Sequence, residues 1–233
     1  MPKKSCDRDK WTMLNELEED AIKEIFNLSL GHAIPTLSEM VDAEIEFFPP
    51  GIEMTPANHL ANTIEKLMGS AVCLVHMGFD LVFTEKANIT GTAILLLRSG
   101  VVEPLLDALY GEHVPETMQN HVCQETFTDV GDLLLYTCVS TLSRLLDSGL
   151  EGRKPVFFRG NPMDWNIGPA LCLAPEDVPH GEEIPKETLF INLRIDLAIP
   201  AKKVAGSVLI WLNTCDKTDI KMAIQRFIAD RID

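Results

Sequence analysis

The chain has no excess of cations, no paired-cysteine motif and no long apolar run, and each shortage removes a class of function. Its 20 Lys and Arg stand against 35 Asp and Glu, a net charge of -15. A protein that tracks a phosphate backbone needs clustered cations, so nucleic acid is disfavoured as a partner. An anionic membrane surface is disfavoured for the same reason. No C-x-x-C pair occurs among Cys6, Cys73, Cys123, Cys138, Cys172 and Cys215. Isolated cysteines in a chain of this size predict reduced, buried thiols in the cytoplasm rather than a disulfide frame or a zinc site. No stretch approaches 18 consecutive apolar residues, so no bilayer span is expected. The start, MPKKSCDRDKW, lacks the apolar core of a signal peptide.

What remains is a globular composition. Of 233 residues, 46% are hydrophobic and 24% charged, which fits neither a disordered nor a fibrous class. The length allows one large domain or two small ones, with a core that needs no staples. After a charged tail (residues 1–10), Trp11 to about Val41 predicts one long helix, with Leu14, Leu17, Ala21, Ile25 and Leu28 at helical spacing. Pro35 predicts a kink or a division of it. A short strand is expected over Ala43–Phe48, stopped by Pro49-Pro50-Gly51. Strands are expected over Ser70–Phe83, with a break at Gly78, and Asn88–Arg98, with a turn at 85–88. A helix over Val101–Tyr110 follows.

The second half repeats this order. A helix is expected over Glu116–Leu146, strands at Pro155–Phe158, Thr188–Ile199 and Lys203–Leu212, and a closing helix at Thr218–Ile232. TGTAILLL (90–97) aligns with AGSVLIWL (205–212). The simplest account is one pseudo-symmetric domain, residues 1–233, made of two repeats over 12–111 and 116–233. The proline-rich segment 161–186 breaks the symmetry and reads as a surface loop, with Ala170–Leu173 as a candidate strand inside it.

On the first long helix Asp20, Glu24 and Asn27 stand at i, i+4 and i+7, one face of the helix. After Asn27, 22 residues pass before Pro50, and Gly31 and Ala33 follow on the same helix. In the second half Glu125, Asp129 and Asp132 keep the same spacing, and Pro155 follows Asp132 after the same interval, an offset of 105 residues throughout. Tyr136 stands where the first copy has Gly31. Taken alone, three acidic residues on one helix face are more often a solvated surface than a site, and the second set could also hold a cation through oxygens.

The first pattern resembles the signature of the CheC/CheX/FliY family of chemotaxis phosphatases: Asp or Ser, three residues, Glu, two residues, Asn, 22 residues, Pro. The resemblance implies an α+β fold with two long motif helices on one face of a mostly antiparallel sheet. It implies removal of the phosphoryl group from the receiver aspartate of a CheY-type response regulator. Asn27 would aim the attacking water and Glu24 would pair with the receiver's lysine. The magnesium would belong to the regulator, so no cofactor of the protein's own is expected. An amide both donates and accepts hydrogen bonds, and can aim water without adding charge beside a phosphoryl group. Asp132 in the second copy only accepts when ionised and brings negative charge to that group, while Asp129 is one methylene shorter than Glu. The second site is therefore expected to be degenerate. The rival reading is a non-catalytic binding module of the same fold that docks a receiver domain or a CheD-like partner. The chain ends at Asp233 soon after its last helix, so the resemblance leads us to expect no further switch domain of the FliY kind.

Overall fold

The computed structural model describes residues 14–84, 87–110, 116–165, 189–213 and 217–232. The N-terminal tail, the 85–86 turn, the candidate strand Ala170–Leu173 and Cys6, Cys172 and Cys215 lie outside the described residues.

The first long helix, α1 (Glu16–Val41), begins at a cap rather than at Trp11. The Asn15 side chain accepts from the Glu18 backbone N–H, and the Glu18 carboxylate accepts from the Asn15 N–H, both at 2.9 Å. This reciprocal pair satisfies two of the donors that a helix start leaves open. Pro35 does not divide the helix. It removes one backbone hydrogen bond, but Ala33, Leu37 and Val41 around and beyond it are buried and hold the last turns to the core. Then come β1 (Glu46–Phe47), β2 (Gly51–Pro56), α2 (Leu60–Met68), β3 (Val72–Thr84), β4 (Ala87–Arg98) and α3 (Val102–Tyr110). The second half supplies α4 (Glu116–Leu145), β5 (Gly149–Gly152), β6 (Val156–Gly160), β7 (Leu189–Ile199), β8 (Val204–Asn213) and α5 (Lys217–Ile232).

As expected, the first short strand stops before Pro49 and Pro50, which occupy the gap between β1 and β2, where no ladder N–H is needed. A further expectation is corrected. Gly78 does not break β3, which runs through it in register with β4. The glycine instead makes room, since a Cβ there would lie 2.9 Å from the Arg153 guanidinium. Helix α2 was not anticipated, although Leu60, Ile64 and Met68 recur at spacings of four, and the first two are fully buried.

The eight strands among the described residues form one sheet in the order β1-β7-β8-β4-β3-β5, with β2 also on β7 and β6 also on β3, and each of their pairings is antiparallel. The order reads alike from either edge, with β4 and β8 in the middle. The short strands of each half therefore pair with the long hairpin of the other half. The two long helices also end alike. TLSEMVD (36–42) and TLSRLLD (141–147) finish with Asp42 and Asp147 in the left-handed region, at φ 46° and 51°. Ser38 Oγ donates to the Ala43 carbonyl at 2.5 Å, and Ser143 Oγ to the Ser148 carbonyl at 2.7 Å. A left-handed residue turns the chain out of the helix while the last carbonyls are satisfied, and Asp tolerates it better than most residues.

The sheet is covered on both faces, which explains why its long strands are almost continuously apolar. On one face Val75, Met77, Ala93, Leu95, Leu193, Ile195, Val208 and Ile210 meet α1, α3, α4 and α5 in the main core. On the other, Leu74, Leu96, Phe190, Leu209 and Trp211 meet α2 and Trp165. Each fully buried aliphatic or aromatic side chain contributes roughly 1.5–3 kcal/mol. Helix α4 lies so close to β3 that a Cβ on Gly131 would stand 2.6 Å from Val75. The described cysteines Cys73, Cys123 and Cys138 are buried and free, and burial pushes the Cys138 thiol up to about 12.

His76 lies on the second face, 8% exposed, with its ring centroid 5.1 Å from that of Trp165. Burial pushes its imidazole down to about 4. The unfolded chain, titrating near pH 6.5, thus binds a proton that the fold rejects. The contribution is intact above about pH 6.5 and is lost as pH falls toward 4. Urea unfolding at pH 7 and pH 4.5 should show the His76→Phe variant losing less stability than the wild type, by roughly 2 kcal/mol. Equal losses in both proteins would mean that His76 does not titrate as a buried neutral group.

Candidate functional site

Helix α1 buries Ile22, Ile25, Phe26, Ser29, Leu30 and Ala33 against the sheet and its helical neighbours. Burial of that stripe turns the Asp20, Glu24, Asn27 and Gly31 stripe the other way. Asp20 and Glu24 are exposed and Asn27 is half-buried. The Asn27 amide has no hydrogen-bond partner among the described residues. Lys23, on the flank, stands 3.9 Å from Glu19 and 3.7 Å from Asp20.

Glu24 is not free. Its Oε1 lies 3.9 Å from Nη1 of Arg231 on α5, whose guanidinium stacks 4.3 Å over the Phe227 ring. Both side chains of this ion pair are about half exposed. Such a pair is worth at most about 1 kcal/mol and is open to exchange. Arg231 is 207 residues from Glu24 in sequence, and no local pattern could have found it. The position of α1 is set by a stronger link. Glu18 is buried and accepts from the Gln225 amide at 3.0 Å, with Lys221 Nζ at 3.7 Å. Burial opposes its charge, but the Asn15 N–H, the Gln225 amide and Lys221 outweigh it and hold the carboxyl below its ordinary value.

The second set lies on α4. Glu125, Asp129 and Asp132 are exposed, opposite buried Phe127, Val130, Leu134 and Val139. Glu125 Oε1 is 3.5 Å from His121 Nε2 one turn earlier. Asp129 and Asp132 line a groove of about 530 Å³ with Tyr136 and, from the β5–β6 link, Arg153, Lys154 and Pro155. The proline interval thus has a physical meaning, because it brings the link between two short strands to the motif helix. Pro50 occupies the matching link between β1 and β2. Arg153 and Lys154 were not anticipated as groove residues, though they directly precede the proline that marks the link. Tyr136 is half exposed, with its ring 3.8 Å from where a Cβ on Gly152 would stand. Gly31 has no side chain at the matching point on α1. Among the described residues no group of three His, Cys, Asp or Glu side chains could hold a metal ion, and no helix is long and apolar enough to cross a membrane.

No protein-family model matches the chain. Solved structures do resemble it. The chain is similar to Thermotoga maritima FliY at a TM-score of 0.65 and 17% identity, over 92% of this chain and 98% of that one. The FliM middle domain of Vibrio alginolyticus gives 0.54 and 14%, over 88% and 99%. The chemotaxis protein CheX of Vibrio vulnificus gives 0.52 and 11%, over 81% and 99%. At these identities the likeness concerns the fold. The chain has the fold of the CheC/CheX/FliY group, as the α1 motif led us to expect.

Because Glu18 carries both the α1 cap and the tie to α5, Glu18→Ala should cost roughly 1–3 kcal/mol of stability at pH 7. The carboxyl is held low in the fold, so this advantage of the wild type is fully present above about pH 4.5. It should shrink as pH falls through the lower folded value. Chemical denaturation of both proteins from pH 7 to pH 3 measures the difference, and a gap that is constant with pH would refute the charge-based account.

Proposed function

We propose that the chain is a CheC-like phosphatase that removes the phosphoryl group from the receiver aspartate of a CheY-type response regulator, in the cytoplasm, in chemotaxis or a related two-component pathway. The observation that carries this reading is the Asn27 amide, unengaged among the described residues on the exposed stripe of a long helix, one turn from Glu24.

On this reading α1 docks against the phosphorylated face of the receiver. Glu24 exchanges Arg231 for the receiver's active-site lysine and fixes the register. Asn27 reaches the phosphoryl group, accepts from one hydrogen of a water and orients its lone pair along the line of attack. The water oxygen bonds to phosphorus as the bond to the aspartate oxygen breaks. The products are the free carboxylate, inorganic phosphate and a proton released to solvent. Magnesium, which neutralises charge in such transfers, belongs to the partner. The helix contributes no base, and none is required where the leaving group is already a good one. The α4 set is the degenerate site. The carboxylate of Asp132 would repel the phosphoryl oxygens, and the Tyr136 ring stands where α1 leaves open space.

A non-catalytic docking module of the same fold is the rival, and Asn27 separates the two. With the cognate phosphorylated regulator, Asn27→Ala should lower the stimulated rate by about 100-fold or more, the scale of one lost positioning group. Asp132→Ala should change it less than about two-fold, since an exposed group outside the reacting site has little differential effect. A wild type that fails to speed loss of phosphate from any receiver would favour the docking module. Arg231→Gln should lower KM by about two-fold and leave kcat unchanged, because it removes only a competitor for Glu24. In the Asn27→Ala background, Asp129→Glu, Asp132→Asn and Tyr136→Gly together should restore activity by about ten-fold. No gain there would mean that more than these three positions closed the second site.

A further inference from the structure

The face of the sheet away from the motif helices holds a second cavity, of about 530 Å³, between β2, α2 and β7. Asn192 lines it while being only 3% exposed. Its Oδ1 accepts from the buried Trp211 indole N–H at 3.0 Å. An indole nitrogen only donates, so this bond fixes which way the amide is turned. The Asn192 NH2 group therefore faces the cavity. Among the described residues it has no acceptor, and none of their buried side-chain nitrogen or oxygen atoms is without a partner, so this nitrogen reaches open space. Its two N–H donors are therefore available to a molecule in the cavity.

More donors converge there. Arg194 gives Nε and Nη2 to Asp196 and also lies in the field of the Glu53 carboxylate, while its Nη1 makes no hydrogen bond among the described residues. Gly51 pairs with Arg194 across the ladder and leaves the space above it clear. Lys66 on α2 lines the same cavity, exposed and without an ion-pair partner among the described residues. One acceptor faces them. Glu53 stands directly opposite Asn192 in the β2–β7 register and is exposed. Asp196 is already engaged by Arg194 and by the Ser207 hydroxyl. The four charged groups sum to zero, which suits a polar ligand without net charge better than a simple anion. The volume lies within the roughly 300–1,000 Å³ of small-molecule sites.

We infer that this cavity binds a small zwitterion of the α-amino-acid class, its carboxylate on Asn192, Arg194 and Lys66 and its ammonium on Glu53. The site shares no residue with the α1 or α4 motifs and stands whether or not the phosphatase reading holds.

The test is a titration of the full chain, followed by the side-chain resonances of Asn192 and Arg194 in nitrogen-15 spectra. The probes are glycine, L-alanine, L-glutamate and L-lysine, with acetate and inorganic phosphate as anions that lack the ammonium group. At least one amino acid should shift both resonances with a Kd below about 1 mM. Acetate and phosphate should bind at least about ten-fold more weakly. Asn192→Asp keeps the acceptor for Trp211 and the shape but removes the donors, and should weaken binding by about ten-fold or more. Lys66→Ala and Glu53→Gln change exposed positions and serve if the buried variant does not fold. The first should weaken binding, and the second should erase the preference over acetate. The inference is overturned if no amino acid saturates the site, if acetate or phosphate binds as tightly, or if both exposed variants bind as the wild type does.

Discussion

The burial of one stripe on each long helix is the constraint on which the rest depends. Helices α1 and α4 cover one face of the sheet and also pack on each other. Ile25, Phe26 and Leu30 on α1 are fully buried, as are Leu135, Cys138 and Val139 on α4. A helix fixed in rotation by such a stripe has no freedom left on its opposite side. Asp20, Glu24 and Asn27 face outward because nothing else can, and Asp129 and Asp132 do so for the same reason. The interaction that anchors α1 along its axis is the buried Glu18, tied to its own cap and to α5 at once.

That geometry gives the two outward faces equal positions and unequal chemistry. On α1 an amide stands beside a carboxylate that holds a loose, half-exposed ion pair. On α4 two carboxylates share a groove with Arg153, Lys154 and a phenol ring. Exchanging an amide for a carboxylate changes volume little. It removes two donors and adds a charge, and near a phosphoryl group the charge matters more than the shape.

The sheet supplies a parallel case of like positions held by like interactions. Toward one end Asp80 accepts from Thr90 at 2.6 Å and from Arg153 at 2.6 Å. Toward the other, Asp196 accepts from Ser207 and Arg194. Each aspartate thus ties a neighbouring strand's hydroxyl to an arginine. The Arg194 hydrogen bonds hold the Asp196 carboxyl below its usual range. Beyond these shared ties the two ends differ. Helix α2 on the β7 side leaves a polar cavity around Asn192, whereas Trp165 closes over His76 on the β3 side.

Much of this was legible in order and little of it in space. The apolar spacing along α1 and α4, the β-branched runs of β3, β4, β7 and β8, and the 105-residue offset follow from local periodicity. That signal is strong because one stripe or both faces of each element must be apolar. The matching TLS…D ends of the long helices were equally open to reading, since a left-handed cap is a local matter. By itself the sequence determined the long elements, the candidate residues Glu24 and Asn27, and the presence of a carboxylate, Asp132, at the position that matches the Asn27 amide. Only the tertiary structure decided that each half's short strands cross to the other half's hairpin, that Arg231 reaches Glu24, and that Glu53, Lys66, Asn192 and Arg194 meet. Those outcomes depend on which faces pack together, and packing joins residues by complementarity of surface, not by distance along the chain.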